Sequence, residues 1–495
     1  MQPFGLSQRR ALLADAPVLT IMALGLALFY IDGLPLPLRL AGLALFAGLA
    51  ALQPAGGLIS VVLTAPLYLI PTAVDMFGRA WLFPLHEVAL LLTTAAVAGR
   101  WTIQVARHRH AVDFQLHLRR VYAMGGRYAP HVLLALAGII GVVIAVPEGR
   151  SAALREFRWL IAEPLLFYGL GRVVGVSRLL LGSALAVSGA YVALIGVLQY
   201  GELDLAPLLG EKQAFSENII DVDGVRRVTS VYGHPNNLGL FLERVWPLAA
   251  VIAIGVRRGD VVGDVVAHTN RRSDVACNVA TLLLFTCCAL LALAGVGVSF
   301  SRGAWLASVI AATVVGAGWF LFRSQDRQVM RWSALALAGV VIAVVAGLAL
   351  TLRGGPGGGS TDARLLLWRE SLAYLQQHPF GLGLDQFYYF HNPEFGRSLI
   401  DPSLLGTSEA YAAHPHNLIL DAWINTGPIG VIAFGWLMLR FFRNAIGALR
   451  ERRDLLALGA LAAMSAALVH GLVDRFYFVP DLAITFWVLI ALADT

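Results

Sequence analysis

Charge is scarce in this sequence. Asp, Glu, Lys and Arg make up 14% of its 495 residues, whereas soluble domains carry about 25%. With 58% hydrophobic residues and a mean hydropathy of +0.71, a water-soluble fold is excluded, because it could not hide that much apolar surface. Lysine is almost missing: of 37 basic residues, Lys212 alone is a lysine. The formal net charge of +6 does not point to nucleic acid, since a basic face for that purpose must be continuous and these arginines fall in short loops between apolar runs. Cysteine is scarce too. Cys277, Cys287 and Cys288 lie in or at the edge of one apolar run with no CxxC or metal spacing, and read as small packing residues. No small-residue cleavage site follows Arg9 and Arg10, so the first apolar run reads as an uncleaved start-transfer segment. Nor is there an internal repeat or inverted symmetry, which counts against a transporter.

Long apolar runs are what the chain does have. Val18 to Tyr30, Leu179 to Tyr200, Val279 to Val298 and Ala334 to Leu352 approach or reach the roughly 20 residues that cross a hydrocarbon core. Breaking such runs at Gly, Pro and charge clusters predicts an all-α polytopic membrane protein of about twelve to fourteen transmembrane helices. Arginine-rich loops around Arg100 to Arg127, Arg257 to Arg272, Arg323 to Arg331 and Arg443 to Arg453 are expected on the cytoplasmic side. The mixed or acidic loops between them are expected on the periplasmic or outer side. The organisation that follows is a bundle over residues 1–352 with a smaller outer loop at about 202–233, a large outer loop over 353–417, and C-terminal membrane helices over 418–495.

The large loop opens with a glycine stretch after Arg353 that cannot hold a helix. Ser360, Thr361 and Asp362 then offer N-caps to a helix over Ala363 to His378, in which Leu366, Trp368 or Arg369, Leu372 and Leu375 or Gln376 repeat at helical spacing. Such a helix suits a membrane surface. Phe387, Tyr388, Tyr389 and Phe390 serve either as sugar-stacking rings or as an interfacial aromatic belt.

Three clusters can carry chemistry. Ala413-His414-Pro415-His416-Asn417 sits where the long loop meets the next apolar run. An ordinary imidazole, with a pKa near about 6.5, can take a proton from a hydroxyl at neutral pH; the other reading is that either histidine caps or anchors the helix. Arg302, within Ser301-Arg302-Gly303, has almost no polar loop around it, so it is either a phosphate ligand or a snorkelling interfacial arginine. Arg226 and Arg227, followed by turn residues and a helix start, make a weaker anion site. Asp221-Val-Asp223 resembles a glycosyltransferase metal motif, but two carboxylates alone are a poor site for a hard cation. Ionisable residues within apolar runs, Glu87, Glu163, Glu243 with Arg244, Asp421, and Asp474 with Arg475, select no reaction by themselves.

Five stretches together resemble the O-antigen ligase and polymerase superfamily of bacterial surface-polysaccharide enzymes. They are Arg227 to Leu240, Ser301-Arg302-Gly303, Asp362 to Trp368, His378-Pro-Phe-Gly-Leu-Gly383, and Pro415-His416-Asn417 running to Gly430. The resemblance covers roughly residue 190 to the end. It implies a GT-C-like membrane enzyme of the bacterial inner membrane, with its active site facing the periplasm. Such an enzyme moves a glycan from undecaprenyl diphosphate to an acceptor hydroxyl, here a lipid A core sugar, without metal, cofactor or nucleotide sugar. It implies His416 as general base and Arg302 and Arg227 as diphosphate ligands; His414 is an extra histidine beside the motif that could share or exchange the role of His416, and Asn417, Arg364 and Arg226 are supporting candidates. Within the superfamily a Wzy-type polymerase or a protein O-oligosaccharyltransferase is the alternative; from another class, a polysaccharide flippase.

Overall fold

The computed structural model describes residues 16–31, 33–76, 78–107, 114–203, 205, 219–222, 225–258, 271–323, 328, 339 and 360–494. Arg9, Arg10, Arg109, Lys212, Asp223, Arg327, the run 334–352 and the glycine stretch lie outside those residues apart from isolated positions. Six described helices are long and apolar enough to cross a membrane: Leu85–Ala106, Arg178–Tyr200, Pro235–Arg257, Asn278–Val298, Arg302–Phe320 and Leu418–Arg452. Six shorter apolar helices accompany them. The chain is an all-α polytopic membrane protein. Its described strands form two two-stranded antiparallel hairpins, Thr72–Met76 with Arg79–Phe83 and Ile219–Val222 with Val225–Val228.

The chain divides into two compact units. One comprises residues 1–118, 166–301 and 484–492; the other comprises 119–165, 302–483 and 493–495. In the first, small residues let helix backbones touch, as membrane helices require when no hydrophobic drive separates protein from lipid. Helices Ala16–Tyr30 and Leu36–Leu52 meet at Gly25 and Gly42, where a Cβ on either would lie 2.8 or 2.5 Å from the other's carbonyl oxygen. Arg178–Tyr200, Pro235–Arg258 and Arg271–Val298 pack in the same way, Gly189 against Val245 and Gly295 against Leu242.

The second unit is organised around a broken helix. The segment Leu418–Arg452 departs from helical geometry at Gly427, with φ 64° and ψ −174°, just before Pro428. Proline has no N–H, so the Ile424 carbonyl four residues earlier loses its helical donor. Leu382 and Gly383 donate their backbone N–H groups to it instead, at 2.9 and 3.1 Å. Gly381 and Gly383, with φ of +91° and +110°, make the close approach possible: a Cβ on Gly381 would stand 2.6 Å from the Trp423 oxygen, and one on Gly427 2.5 Å from that of Phe380. The two glycine-containing stretches 378–383 and 427–430 are therefore two halves of one joint.

Above that joint, helix Ser360–Gln377 packs into a small core with Leu382, Phe387, Phe390, Leu404, Ala412 and Ile424. Its buried face is Leu367, Glu370, Ser371, Tyr374 and Leu375, one position round from the expected one, and Leu372 is exposed. The reason is polar: Glu370 is buried because it meets His391 at 2.9 Å, a pairing no apolar periodicity reveals. Phe387 and Phe390 belong to this core and are neither a belt nor a free stacking surface, while Tyr388 and Tyr389 pack beside Phe395. Arg155 with Asp385 at 3.4 Å and Arg397 with Glu148 at 3.1 Å tie the segment to residues 147–157.

Candidate active site

His416 occupies an uncommon backbone position. Its φ is +51°, the left-handed region that costs a non-glycine residue on the order of 1–3 kcal/mol and clusters at functional sites. Two contacts hold it there. Its carbonyl accepts from Trp368 Nε1 at 3.3 Å, and the next residue, Asn417, caps helix Leu418–Arg452 by accepting from the N–H groups of Ile419 and Leu420. Asn417 also donates Nδ2 to the Leu472 carbonyl at 3.1 Å, fastening the loop to the turn that carries Asp474.

That turn completes the site. His416 Nδ1 lies 3.3 Å from Asp474 Oδ1, and Asp474 is 3% exposed. Burial works against ionising Asp474, but the His414 and His416 rings beside it, together with the charges of His416 and His470, outweigh it and hold the carboxyl well below the usual carboxylate range. An ionised carboxylate only accepts, so in the neutral ring Nδ1 of His416 donates and Nε2 carries the lone pair. Glu409 Oε2 stands 3.9 Å from Nε2, beyond hydrogen-bond reach. Around Asp474, Arg475 donates its backbone N–H to Oδ1 at 2.8 Å, and Arg364 Nη2 stands 4.0 Å from Oδ2. The His414 ring is 4.1 Å from that of His416, centroid to centroid. Burial, then the charges of Arg475 and His416, push its pKa well below the ordinary imidazole value, which keeps it neutral.

The remaining arginines divide between the two units. Arg302 begins helix Arg302–Arg323 with its side chain exposed. Its neighbour Gly303 fits against the ring of His470, where a Cβ would lie 2.4 Å from Cδ2 and Nε2; the same His470 acts electrostatically on Asp474. Arg302 thus starts one side chain away from the histidine and aspartate. In the other unit, Arg227 donates Nε to the Ser299 carbonyl at 3.0 Å and Nη2 to Asn236 Oδ1 at 2.8 Å, and Arg226 pairs with Glu202 and the Gln199 carbonyl. Both arginines lie on a strand of the second hairpin, Arg227 opposite Ile220 and Arg226 opposite Asp221, and a turn and the helix start at Pro235 follow them. Asp474 was legible only as one more ionisable group between apolar runs, because its partner stands 58 residues away in the chain.

Residues 287–435 match the family model described as O-Antigen ligase. The match supports the O-antigen ligase/polymerase superfamily, and the stretch includes Arg302, Arg364, His414, His416 and Asn417 but not Asp474, Arg226 or Arg227. With the six candidate spans it points to a multi-pass bacterial membrane protein of glycosyltransferase type, acting in O-antigen or related glycan assembly. Comparison with curated proteins gives no match to the chain.

Proposed function

We propose, for a chain whose residues 287–435 carry the O-antigen ligase family domain, that it transfers a glycan from undecaprenyl diphosphate to a hydroxyl of the lipid A core at the periplasmic face of the inner membrane. The observation that carries this reading is the His416 Nδ1 to Asp474 Oδ1 contact of 3.3 Å, which fixes the tautomer and leaves Nε2 as the base. Asp474 is a positioning residue: it orients the ring and stabilises the imidazolium once formed.

The acceptor hydroxyl gives its proton to His416 Nε2 while its oxygen bonds to the anomeric carbon. The bond from that carbon to the diphosphate breaks on the opposite face, so the centre inverts. Undecaprenyl diphosphate leaves with the bonding pair, and the imidazolium returns its proton to the departing diphosphate or to water. Diphosphate is already a good leaving group, so neutralising its growing charge is the main electrostatic task. The planar forks of Arg302 and Arg227 suit phosphate oxygens, with Arg364 and Arg226 as supporting charges. No step needs a metal, a cofactor or a nucleotide sugar.

Purified protein incubated with an undecaprenyl-diphosphate glycan and core oligosaccharide in EDTA should yield product. A single size step on a gel is expected. A ladder would replace the ligase reading by the polymerase one, and translocation of the lipid-linked glycan with no new glycosidic bond would overturn both.

A further inference from the structure

The proposed mechanism leaves His414 unused, yet His414 is the least satisfied polar group in the site. Both of its ring nitrogens are buried without a hydrogen-bond partner, a condition that water or an ion normally relieves. One ligating atom from each of His414, His416 and Asp474 lies within 4.8 Å of the others. We propose that these three side chains form a transition-metal site suited to Zn²⁺, whose occupation switches His416 off as a base.

The geometry is near that of a tetrahedral ion. Zn–N and Zn–O bonds of about 2.0–2.2 Å place neighbouring ligand atoms about 3.3–3.6 Å apart. His416 Nδ1 to Asp474 Oδ1 is 3.3 Å, and His414 Nε2 to the same oxygen is 3.7 Å. Two imidazoles and one carboxylate are a donor set that Zn²⁺ accepts with a fourth place left open. Arg364, at 4.0 Å from Asp474, and Arg475, whose charge acts on His414, are opposing charges that keep affinity finite.

The switch follows from imidazole chemistry. A neutral ring has one lone pair. With the proton on Nδ1 facing Asp474, that pair is on Nε2, where the acceptor hydroxyl meets it. A metal bonded to Nδ1 uses the pair there, and the ring's proton moves to Nε2 with no net release, so Nε2 becomes a donor. Metal and activity are then mutually exclusive at one ring. The inhibitory consequence rests on the reading of His416 as the base; the binding site does not.

The test uses the full chain in detergent with Co²⁺ as the visible probe and Zn²⁺ as competitor. We expect saturable Co²⁺ absorption at one ion per chain, displaced by Zn²⁺. In His414→Gln and in Asp474→Asn, the affinity should fall on the order of 100-fold or more, since even an outer partner of a metal ligand is worth about 10–100-fold. Unchanged thermal midpoints in the two variants would exclude misfolding. Saturating Zn²⁺ should stop glycan transfer, and chelation should restore it. No saturable signal, or an undiminished one in both folded variants, would overturn the site and leave the base reading untouched. Site-specific binding with transfer at full rate would overturn the switch and, with it, the base role of His416.

Discussion

A histidine becomes a base at a defined nitrogen only when something holds the other one. His416 owes that to Asp474, and the pair makes the sharpest prediction. Replacing His416 by Ala should lower transfer by about 10²- to 10⁴-fold, with binding of the lipid-linked donor retained, because in the proposed mechanism donor affinity comes from the arginines and the lipid tail. Asp474→Asn should lose on the order of 10²-fold or more, since an amide supports the wrong tautomer. The double variant should be no slower than His416→Ala, because the two act as a unit. His414→Ala should be milder. Single-turnover rates at matched protein levels check this; additive losses would separate Asp474 from the base. Arg302, exposed at a helix start, carries a second prediction. Arg302→Ala and Arg302→Lys should both impair transfer strongly, the lysine because it keeps charge but not the planar fork. Near-normal turnover by Arg302→Lys would reduce the residue to a point charge.

At the scale of elements, the joint between 378–383 and 427–430 and the small core above it set the loop that carries His416. Gly427→Ala would place a Cβ 2.5 Å from the Phe380 oxygen at φ +64°. The strain of a positive φ alone costs about 1–3 kcal/mol, so a lower thermal midpoint is expected, together with faster hydrogen exchange at Leu382 and Gly383, whose amides reach across the joint. The core above is pinned by charge. His391 Nδ1 contacts both Glu370 oxygens at 3.0 and 2.9 Å, and its Nε2 meets the Glu409 carbonyl at 2.7 Å. Burial disfavours the imidazolium, but the Glu370 carboxylate and the Glu409 carbonyl outweigh it, so the His391 pKa is raised above the ordinary value. A raised folded-state pKa stabilises fully below the unfolded value of about 6.5 and is lost as pH rises through the folded one. Residues 387–412 should therefore exchange amides more slowly, relative to the intrinsic rate, at about pH 6 than at about pH 9. The difference should vanish in His391→Gln; if it persists there, another group is responsible.

For the whole molecule the test is topology. From the alternation of arginine-rich and acidic loops, Arg109, Arg271, Arg327 and Arg452 are expected in the cytoplasm and Asp221 and Asp385 outside. Single cysteines at these positions, in a background lacking Cys277, Cys287 and Cys288, should divide accordingly towards a membrane-impermeant reagent in intact cells. Labelling at 327 without labelling at 385 would invert the protein and put His416 on the wrong side for a periplasmic acceptor.

How much of this was readable without coordinates depends on the range of the interaction. Local patterns carried what depends on neighbours in the chain: apolar length marked the runs that became Arg178–Tyr200 and Arg271–Val298, and the step from the long loop to the next apolar run marked a helix start, although its cap is Asn417 and neither histidine. The glycines at 381, 383 and 427 were visible as turn and motif residues, but that they form one joint depends on a carbonyl orphaned by Pro428 and answered by backbone N–H groups from another segment. The face of helix Ser360–Gln377 was misjudged because Glu370 is buried by a partner 21 residues away. Asp474 is the plainest case. Composition could say that a carboxylate between apolar runs is costly to keep, and only the packing of its turn against the His416 loop decided which nitrogen it holds. Hydrophobicity and helix length are sums over adjacent residues and are written along the chain, whereas a tautomer is set by one contact between two segments and exists only once they have met.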